Sequence, residues 1–114
     1  MKLPYRRLVK VKRDKITLYL LNLNHPDGWP KAKFFRQIGF NETNINEFKK
    51  ALLKISKTEE VVKIDKSKSK YAVKYTIDGT IVSPKNGKKY IIRTGWKITK
   101  GKKVPWLITA FPKK

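Results

Sequence analysis

The feature that most constrains the fold is a change in the spacing of apolar residues near the middle of the chain. In roughly the first half, apolar side chains recur every three or four positions, which is the spacing of one helix face. In the second half they alternate with polar side chains, which is the spacing of a strand with one buried face. Helices followed by a run of strands predict an α+β fold with an antiparallel meander sheet.

About three helices are predicted in the first half. The first is capped by Asp14 and has apolar residues at positions 16, 19, 20 and 23, although this stretch is also compatible with a strand. The second runs from about Lys31 to Ile38, between a proline and a glycine. The third begins at Asn44, which is expected to form a capping box with Glu47. Its apolar stripe consists of Ile45, Phe48, Ala51, Leu52 and Ile55.

Four to five strands are predicted in the second half. Two turn signals, Asp78-Gly79 and the segment Pro84-Lys85-Asn86-Gly87, favour hairpins between them. The last strand runs from about Val104 to Phe111. The longest strand has one apolar face, made of Tyr90, Ile92, Thr94, Trp96 and Ile98. A chain of 114 residues has room for one domain, which we expect to span residues 1–114.

The charge of the chain indicates a polyanionic partner. There are 29 Lys and Arg residues against 8 Asp and Glu, a formal net charge of +21. Such charge opposes compaction and is typical of proteins that bind nucleic acid, an anionic membrane or an acidic protein. A lysine coat that serves only solubility is the remaining explanation. Ile16–Leu23 is too short to span a bilayer, and the N-terminus lacks a signal-peptide pattern, so a cytoplasmic site of action without a membrane partner is expected.

The composition argues against several kinds of active site. There is no cysteine and one histidine, and the few acidic residues show no reason to converge, so neither a zinc site nor a two-metal nuclease site is expected. No phosphate-binding glycine loop and no Ser-His-Asp pattern is present. We therefore expect neither a metal nor a cofactor.

Cleavage of RNA needs none of these groups. The substrate's own 2′-hydroxyl can act as the nucleophile, so the protein must supply an acid, a base and cations for the charge on phosphorus. His25 is the candidate acid or base, and a turn histidine with a purely structural role is the alternative. Lys31 is expected to stabilise the charge on the scissile phosphate. The expected contacts to the rest of the nucleic acid are Lys33, Arg36, Arg93, Lys97, Lys102 and Lys103.

The stretch from Leu20 to Phe40 resembles a small bacterial family of domains of unknown function. That family shows the pattern Leu-Asn-x-x-His-Pro-x-Gly-x-x-Lys-Ala-x-Phe-Phe-x-x-x-Gly-Phe and a closing Thr-Ala-Tyr-Pro. The closing block here is Leu107–Pro112, with Phe111 where tyrosine is common, which removes one possible hydroxyl. The likeness covers roughly residues 15–112.

The order of helices and strands is also similar to that of metal-independent ribonuclease toxins, the group that includes barnase, colicins D and E5 and the RelE toxins. This resemblance implies site roles for His25, Lys31 and Thr109, with Thr109 donating a hydrogen bond to the scissile phosphate. It also implies an acidic immunity or antitoxin partner. The function expected is thus a metal-independent ribonuclease toxin or effector domain. A nucleic-acid-binding module without catalysis is the main alternative, and a structural or membrane-surface protein is another.

Overall fold

A computed structural model of the chain describes residues 1–67 and 70–113. In this part of the chain a 3₁₀ turn, Arg6–Leu8, precedes three helices. Helix α1 begins as an α-helical turn, Arg13–Lys15, and continues as a π-helical segment, Ile16–Leu20. Helix α2 is Trp29–Gln37 and helix α3 is Ile45–Thr58. The three helices predicted before the sheet are confirmed, and the strand alternative for the first is wrong.

The second half forms one antiparallel sheet. Its strands are β1 (Val61–Asp65), β2 (Ala72–Val82), β3 (Lys89–Thr99) and β4 (Trp106–Pro112). They lie in the order β1-β2-β3-β4, so each strand pairs with its neighbour in sequence. The predicted α+β fold with an antiparallel meander is confirmed, and the sheet has four strands.

The turn predicted at Asp78-Gly79 is wrong, because both residues lie inside β2 and pair with residues of β3. A Cβ atom on Gly79 would lie 2.7 Å from Cγ1 of Ile55, so the glycine allows helix α3 to approach the sheet closely. Asp78 points to the other side of the sheet, where it pairs with Arg93. Each residue of this Asp-Gly pair therefore has a reason to be there that is unrelated to a turn.

The second predicted turn does connect β2 with β3. The backbone N–H of Ser83 donates to the carbonyl of Lys88 (2.8 Å), and that of Gly87 donates to the carbonyl of Ser83 (2.9 Å). Gly87 has a φ of 71°, in the left-handed region that favours glycine. The Ser83 hydroxyl donates to the carbonyl of Ile38, which ties this turn to the end of helix α2.

Two predicted helix caps are not formed. Helix α1 begins one residue after Lys12, so Asp14 lies within its first turn and makes no capping bond. Asn44 precedes α3, but its side chain bonds elsewhere: it accepts from the N–H of Asn41 and donates to the carbonyl of Gly39, each at 2.9 Å. Asn44 therefore closes the connection between α2 and α3.

The helices cover one face of the sheet, here called the inner face. The buried side chains of this face are Ile77, Ile81, Ile92, Thr94, Trp96 and Ile98. They pack in one core with buried helix residues that include Ile16, Leu20, Phe35, Phe48 and Leu52. The opposite, outer face carries polar and partly exposed side chains. Within the described residues, no helix is both long and apolar enough to cross a membrane.

Strand β4 is an edge strand of the sheet, and the N-terminal segment runs beside it. Lys10 pairs with Trp106 in a parallel bridge, so the chain enters helix α1 directly beside β4. The β3–β4 register shifts so that Gly95 pairs with Thr109 and Trp96 with Leu107, which leaves Ile108 as the extra residue of a bulge. Such bulges redirect side chains. Here the bulge places Thr109 on the same face as Gly95.

Candidate active site and nucleic-acid interface

Tyr19 joins the three residues that the sequence proposed for catalysis. The Lys31 ammonium donates a hydrogen bond to the Tyr19 hydroxyl. The same hydroxyl lies 3.2 Å from Oγ1 of Thr109 in a further hydrogen bond. The ring of His25 packs edge-on against the Tyr19 ring, with centroids 4.9 Å apart. These four residues, His25, Lys31, Thr109 and Tyr19, are called the tyrosine cluster below.

The π-helical segment of α1 and the loop after it position Tyr19. Ile16 and Leu20 are buried in the core, whereas Tyr19 is half-buried and points toward β4. The N–H of Leu21 donates to the carbonyl of Ile16 (2.8 Å), the wider spacing of a π turn, which is often found at functional sites. A Cβ atom on Gly28 would lie 2.7 Å from the Tyr19 ring, so this glycine lets the loop close over the ring.

The hydrogen bonds of His25 define its tautomer. Its Nδ1 atom accepts from the backbone N–H of Asp27 (3.1 Å) and of Gly28 (2.9 Å). An atom that accepts two N–H groups carries no proton, so in the neutral ring the proton is on Nε2. His25 therefore offers a hydrogen-bond donor from Nε2, and its acceptor atom is already used by the loop.

Lys31 comes from the first turn of α2 and lies against two aromatic rings. Its Nζ atom is 4.9 Å from the ring centroid of Tyr19 and 5.8 Å from that of Phe111. Phe111 stands where the family resemblance would place a tyrosine. In this chain the ring supplies an apolar wall and a cation–π contact to Lys31, and the cluster's phenol comes from Tyr19.

The surroundings of Tyr19 make its phenol more acidic. Burial raises the pKa of Tyr19, but the hydrogen bonds with Lys31 and Thr109 and the charges of Lys31 and Lys15 together lower it by more. The pKa of Tyr19 therefore lies below its usual value of about 10. The ammonium of Lys15 is 5.4 Å from the Tyr19 ring centroid. The cluster thus favours the phenolate more than water does.

The tyrosine cluster opens onto a cleft of about 620 Å³. Its lining residues are Lys12, Asp14, Lys15, Leu18, Tyr19, His25 and Ile108. Asp14 is the acidic residue among them, and it forms no ion pair with the lysines of the cleft in the part of the chain that the structure describes. Within that part, no three His, Asp or Glu side chains lie close enough to hold a metal ion.

The two arginines proposed for phosphate contact are each paired with an acid. Arg93 makes two hydrogen bonds with Asp78, from Nε to Oδ1 (2.8 Å) and from Nη2 to Oδ2 (3.0 Å). Lys113 adds an ion pair to the same carboxylate (3.1 Å). Arg36 forms an ion pair with Glu42. Either arginine would have to leave a carboxylate, or share it, to reach a phosphate.

The proposed lysine contacts are exposed and fall in different places. Lys33 is on helix α2, Lys97 is on the outer face of β3, and Lys102 and Lys103 are in the β3–β4 turn. The lysines of the β2–β3 turn, Lys85, Lys88 and Lys89, are at the opposite end of the sheet, because successive hairpins of a meander turn at alternate ends. The hairpin lysines therefore form two groups at opposite ends of the sheet. Of the two, the group in the β3–β4 turn is the one near Lys97 and the beginning of β4.

Sequence reasoning missed Tyr19, Lys12 and Lys15 as members of this site. Tyr19 was assigned to the apolar stripe of α1, which is correct for its neighbours Ile16 and Leu20. The available signal was chemical, since a tyrosine on a largely buried stripe needs a partner for its hydroxyl.

The fold and the site together define an α+β protein whose four-stranded antiparallel sheet carries a cation-rich polar cluster centred on a tyrosine. A protein-family model matches residues 2–114, and the chain belongs to that family, which is described as a domain of unknown function (DUF6883). No curated protein and no solved structure matches the chain. The family description assigns no activity, so the function has to be argued from the site.

Proposed function

We propose that the protein is a metal-independent endoribonuclease that cleaves RNA through attack of the substrate's own 2′-hydroxyl. The observation that supports this most directly is the environment of Tyr19. Its phenol, with a lowered pKa, is hydrogen-bonded to Lys31 and Thr109 at the edge of an open cleft. A base held beside cations in a cleft is what cleavage by internal attack requires.

In the proposed reaction the Tyr19 phenolate is the general base. It takes the proton of the 2′-hydroxyl as the 2′-oxygen bonds to phosphorus. The bond from phosphorus to the 5′-oxygen of the next nucleotide then breaks, and that oxygen takes a proton from the ammonium of Lys15, the other cation over the Tyr19 ring. The products are a 2′,3′-cyclic phosphate and a 5′-hydroxyl. Exchange with water returns Tyr19 and Lys15 to their starting states.

The remaining cluster residues stabilise the charge that develops on the phosphate. Lys31 supplies a cation. Once Tyr19 has taken the proton, its O–H can donate to Oγ1 of Thr109, which frees the Thr109 hydroxyl to donate to the phosphate. His25 contributes its Nε2–H as a hydrogen-bond donor, because Nδ1 is bonded to the loop amides. In this mechanism His25 is therefore a donor to phosphate, whereas the sequence had suggested an acid or base.

The same proposal accounts for the net charge of +21 and for the choice of RNA. Attack by a 2′-hydroxyl is possible in RNA and impossible in DNA. A cell that makes such a nuclease needs to cover its basic surface, and an acidic immunity or antitoxin protein is the partner that fits by charge. A toxin or effector role in the cytoplasm is part of this proposal.

A nucleic-acid-binding module without catalysis is the second candidate. It is favoured by the bonding of His25, since a histidine whose Nδ1 accepts two backbone N–H groups is what a loop-stabilising residue looks like. Under this alternative the cluster would bind a phosphate of the nucleic acid without cleaving it.

One experiment separates the two candidates. The purified protein is incubated with total RNA in the presence of a chelator, and the products are resolved and tested for 2′,3′-cyclic phosphate ends. Tyr19→Phe should abolish the fragments, whereas Tyr5→Phe, which removes an exposed hydroxyl away from the cluster, should leave them unchanged. RNA that is bound but intact would favour the binding module, and fragments that persist in Tyr19→Phe would contradict the assigned base.

A further inference from the structure

The cleft at the tyrosine cluster continues over the outer face of the sheet. It shares Lys12, Lys15 and Ile108 with a second cleft of about 450 Å³, which is also lined by Lys97 and Trp106. The second cleft in turn shares residues of β3 and β4 with a third, of about 350 Å³. These clefts form one path, the lysine groove, whose characteristic residues are Lys12, Lys15, Lys74, Lys97 and Trp106.

None of the four lysines of the lysine groove forms an ion pair with a carboxylate of the described residues. Lys74 and Lys97 are directly opposite each other in the β2–β3 pairing, an arrangement that is unfavourable for like charges. The acids along the groove are Asp14 at one end and Asp65 at the other, where Asp65 is the cross-strand neighbour of Lys74 in the β1–β2 register. A bound anion would relieve this repulsion.

Gly95 lets a groove lysine extend toward the tyrosine cluster. A Cβ atom on Gly95 would lie 3.2 Å from Cε of Lys74 and 3.4 Å from Cγ2 of Thr109. The stem of Lys74 therefore crosses β3 above the glycine, on the side where Thr109 bonds to Tyr19. Phosphate-binding groups of the groove and of the cluster are thus adjacent.

Trp106 gives the middle of the groove an aromatic wall. It is the cross-strand partner of Lys97, and the Lys12 ammonium lies 5.1 Å from the centroid of its ring system. A positively charged path with an aromatic ring beside it is typical of sites for single-stranded nucleic acid. Clefts of 350–620 Å³ have the size of small-ligand sites, so each has room for one nucleotide.

We propose that the lysine groove binds the single-stranded stretch of RNA next to the scissile phosphate, with Lys97 and Lys74 on phosphates and Trp106 against a base. The proposal rests on the proposed function for the position of the scissile phosphate. It adds the substrate class: an extended single strand, selected over a duplex.

The test uses a single-stranded 2′-deoxy oligonucleotide, which binds but cannot be cleaved through a 2′-hydroxyl. Its affinity is measured over a salt series for the wild type, Lys97→Gln and Lys74→Gln. The matched control is Lys54→Gln, which removes an exposed charge from helix α3, on the other side of the sheet. Each groove variant should lower the log–log salt slope by about 0.7, the value for one single-strand phosphate contact, and the control should leave it unchanged.

A second readout tests the aromatic wall. Binding of the oligonucleotide should quench part of the tryptophan fluorescence of the wild type, and Trp106→Phe should lose that part while Trp29 and Trp96 remain. Equal slope changes in Lys97→Gln and Lys54→Gln would overturn the groove, because the charge would then act diffusely. A duplex of the same sequence that binds as tightly would overturn the single-strand assignment. If Lys97→Gln weakens binding of poly-glutamate and leaves binding of the oligonucleotide unchanged, the ligand of the groove is an acidic protein and the RNA assignment is wrong.

Failure of the two proposals can be told apart. If the wild type cleaves no RNA but the groove variants lose salt slope, the proposed catalysis fails and the groove stands as a binding site. If RNA is cleaved and the groove variants bind and cleave like Lys54→Gln, the groove fails and the catalysis stands.

Discussion

Two polar clusters beside β3 and β4 differ in how their charges are balanced. At the carboxylate cluster, Asp78 accepts two hydrogen bonds from Arg93 and an ion pair from Lys113, and its side chain is only 14% exposed. At the tyrosine cluster, Lys31 is bonded to a phenol, and no carboxylate of the described residues pairs with it. One cluster is complete without a ligand, and the other retains positive charge for one.

The difference shows which cations of a basic protein are already paired with its few acidic residues. The sequence proposed Arg93, Arg36 and several lysines alike as phosphate contacts. In the structure, Arg93 is paired with Asp78 and Arg36 with Glu42. Many lysines of the described residues lack such partners, and those of the tyrosine cluster and the lysine groove are distinguished by lying beside clefts and aromatic rings. The comparison therefore indicates a structural role for the carboxylate cluster and supports the ligand-binding role proposed for the tyrosine cluster.

The largest expected effect is that of Tyr19→Phe on RNA cleavage. Removing the general base should lower kcat/KM by about 10²–10⁴-fold, while the fold is retained because the ring is unchanged. The measurement is the initial rate on a fluorogenic RNA with chelator present, after a thermal melt confirms folding. Asp78→Asn is the matched change in the other cluster and should cleave at nearly the wild-type rate. Equal losses in both variants would remove the distinction between the clusters.

The second largest effect on RNA cleavage is expected for Lys31→Gln. It should lower kcat by about 10²–10³-fold, the usual effect of removing one group that stabilises transition-state charge. The variant should also raise the pKa of Tyr19 toward its ordinary value, because it removes both a hydrogen bond and a nearby charge. The wild-type rate should increase with pH as Tyr19 loses its proton. In Lys31→Gln that increase should occur at higher pH. A profile that does not shift would show that Lys31 does not act through Tyr19.

Asp78→Asn should change stability rather than activity. Hydrogen bonds from Arg93 hold the pKa of Asp78 below its usual range despite partial burial, and Lys113 adds to the effect. Losing charge-assisted bonds of this kind should lower the free energy of unfolding by about 1–3 kcal/mol. Because the pKa is lower in the folded state, the stabilisation is complete above the unfolded-state pKa of about 4 and is lost as pH falls through the folded-state value. Denaturant unfolding of both proteins at neutral and acidic pH should show the difference disappearing in acid.

The smallest expected effect is that of Thr109→Val. One neutral hydrogen bond contributes about 1 kcal/mol, which corresponds to a roughly fivefold lower kcat. Thr109→Ser keeps the hydroxyl and should restore most of that rate. Wild-type cleavage by Thr109→Val would show that the hydroxyl has no role, and a Thr109→Ser variant as slow as Thr109→Val would show that the methyl group, which packs near Gly95, is needed as well.

Apolar periodicity was sufficient to predict the order of elements, because it depends on burial of whole faces. It failed at Asp78-Gly79, where a glycine needed for contact with Ile55 resembles a turn glycine in sequence. For the candidate site, the sequence proposed His25, Lys31 and Thr109, and each of the three contacts Tyr19 in the structure. Apolar periodicity could not reveal the role of Tyr19, because its hydroxyl bonds to that of Thr109, which is 90 positions away in the sequence.

The lysines of the β2–β3 turn, Lys85, Lys88 and Lys89, stand at the far end of the sheet from the lysine groove. Their field decays over about one Debye length, roughly 8 Å at physiological salt, so it attracts a polyanion that comes close to this end of the sheet. They have no place in a fixed complex along the groove. Their contribution would therefore be to the frequency of encounters, and that of the groove lysines to the lifetime of the complex. One molecule can in this way have its speed of association and its residence time set at opposite ends of a single sheet.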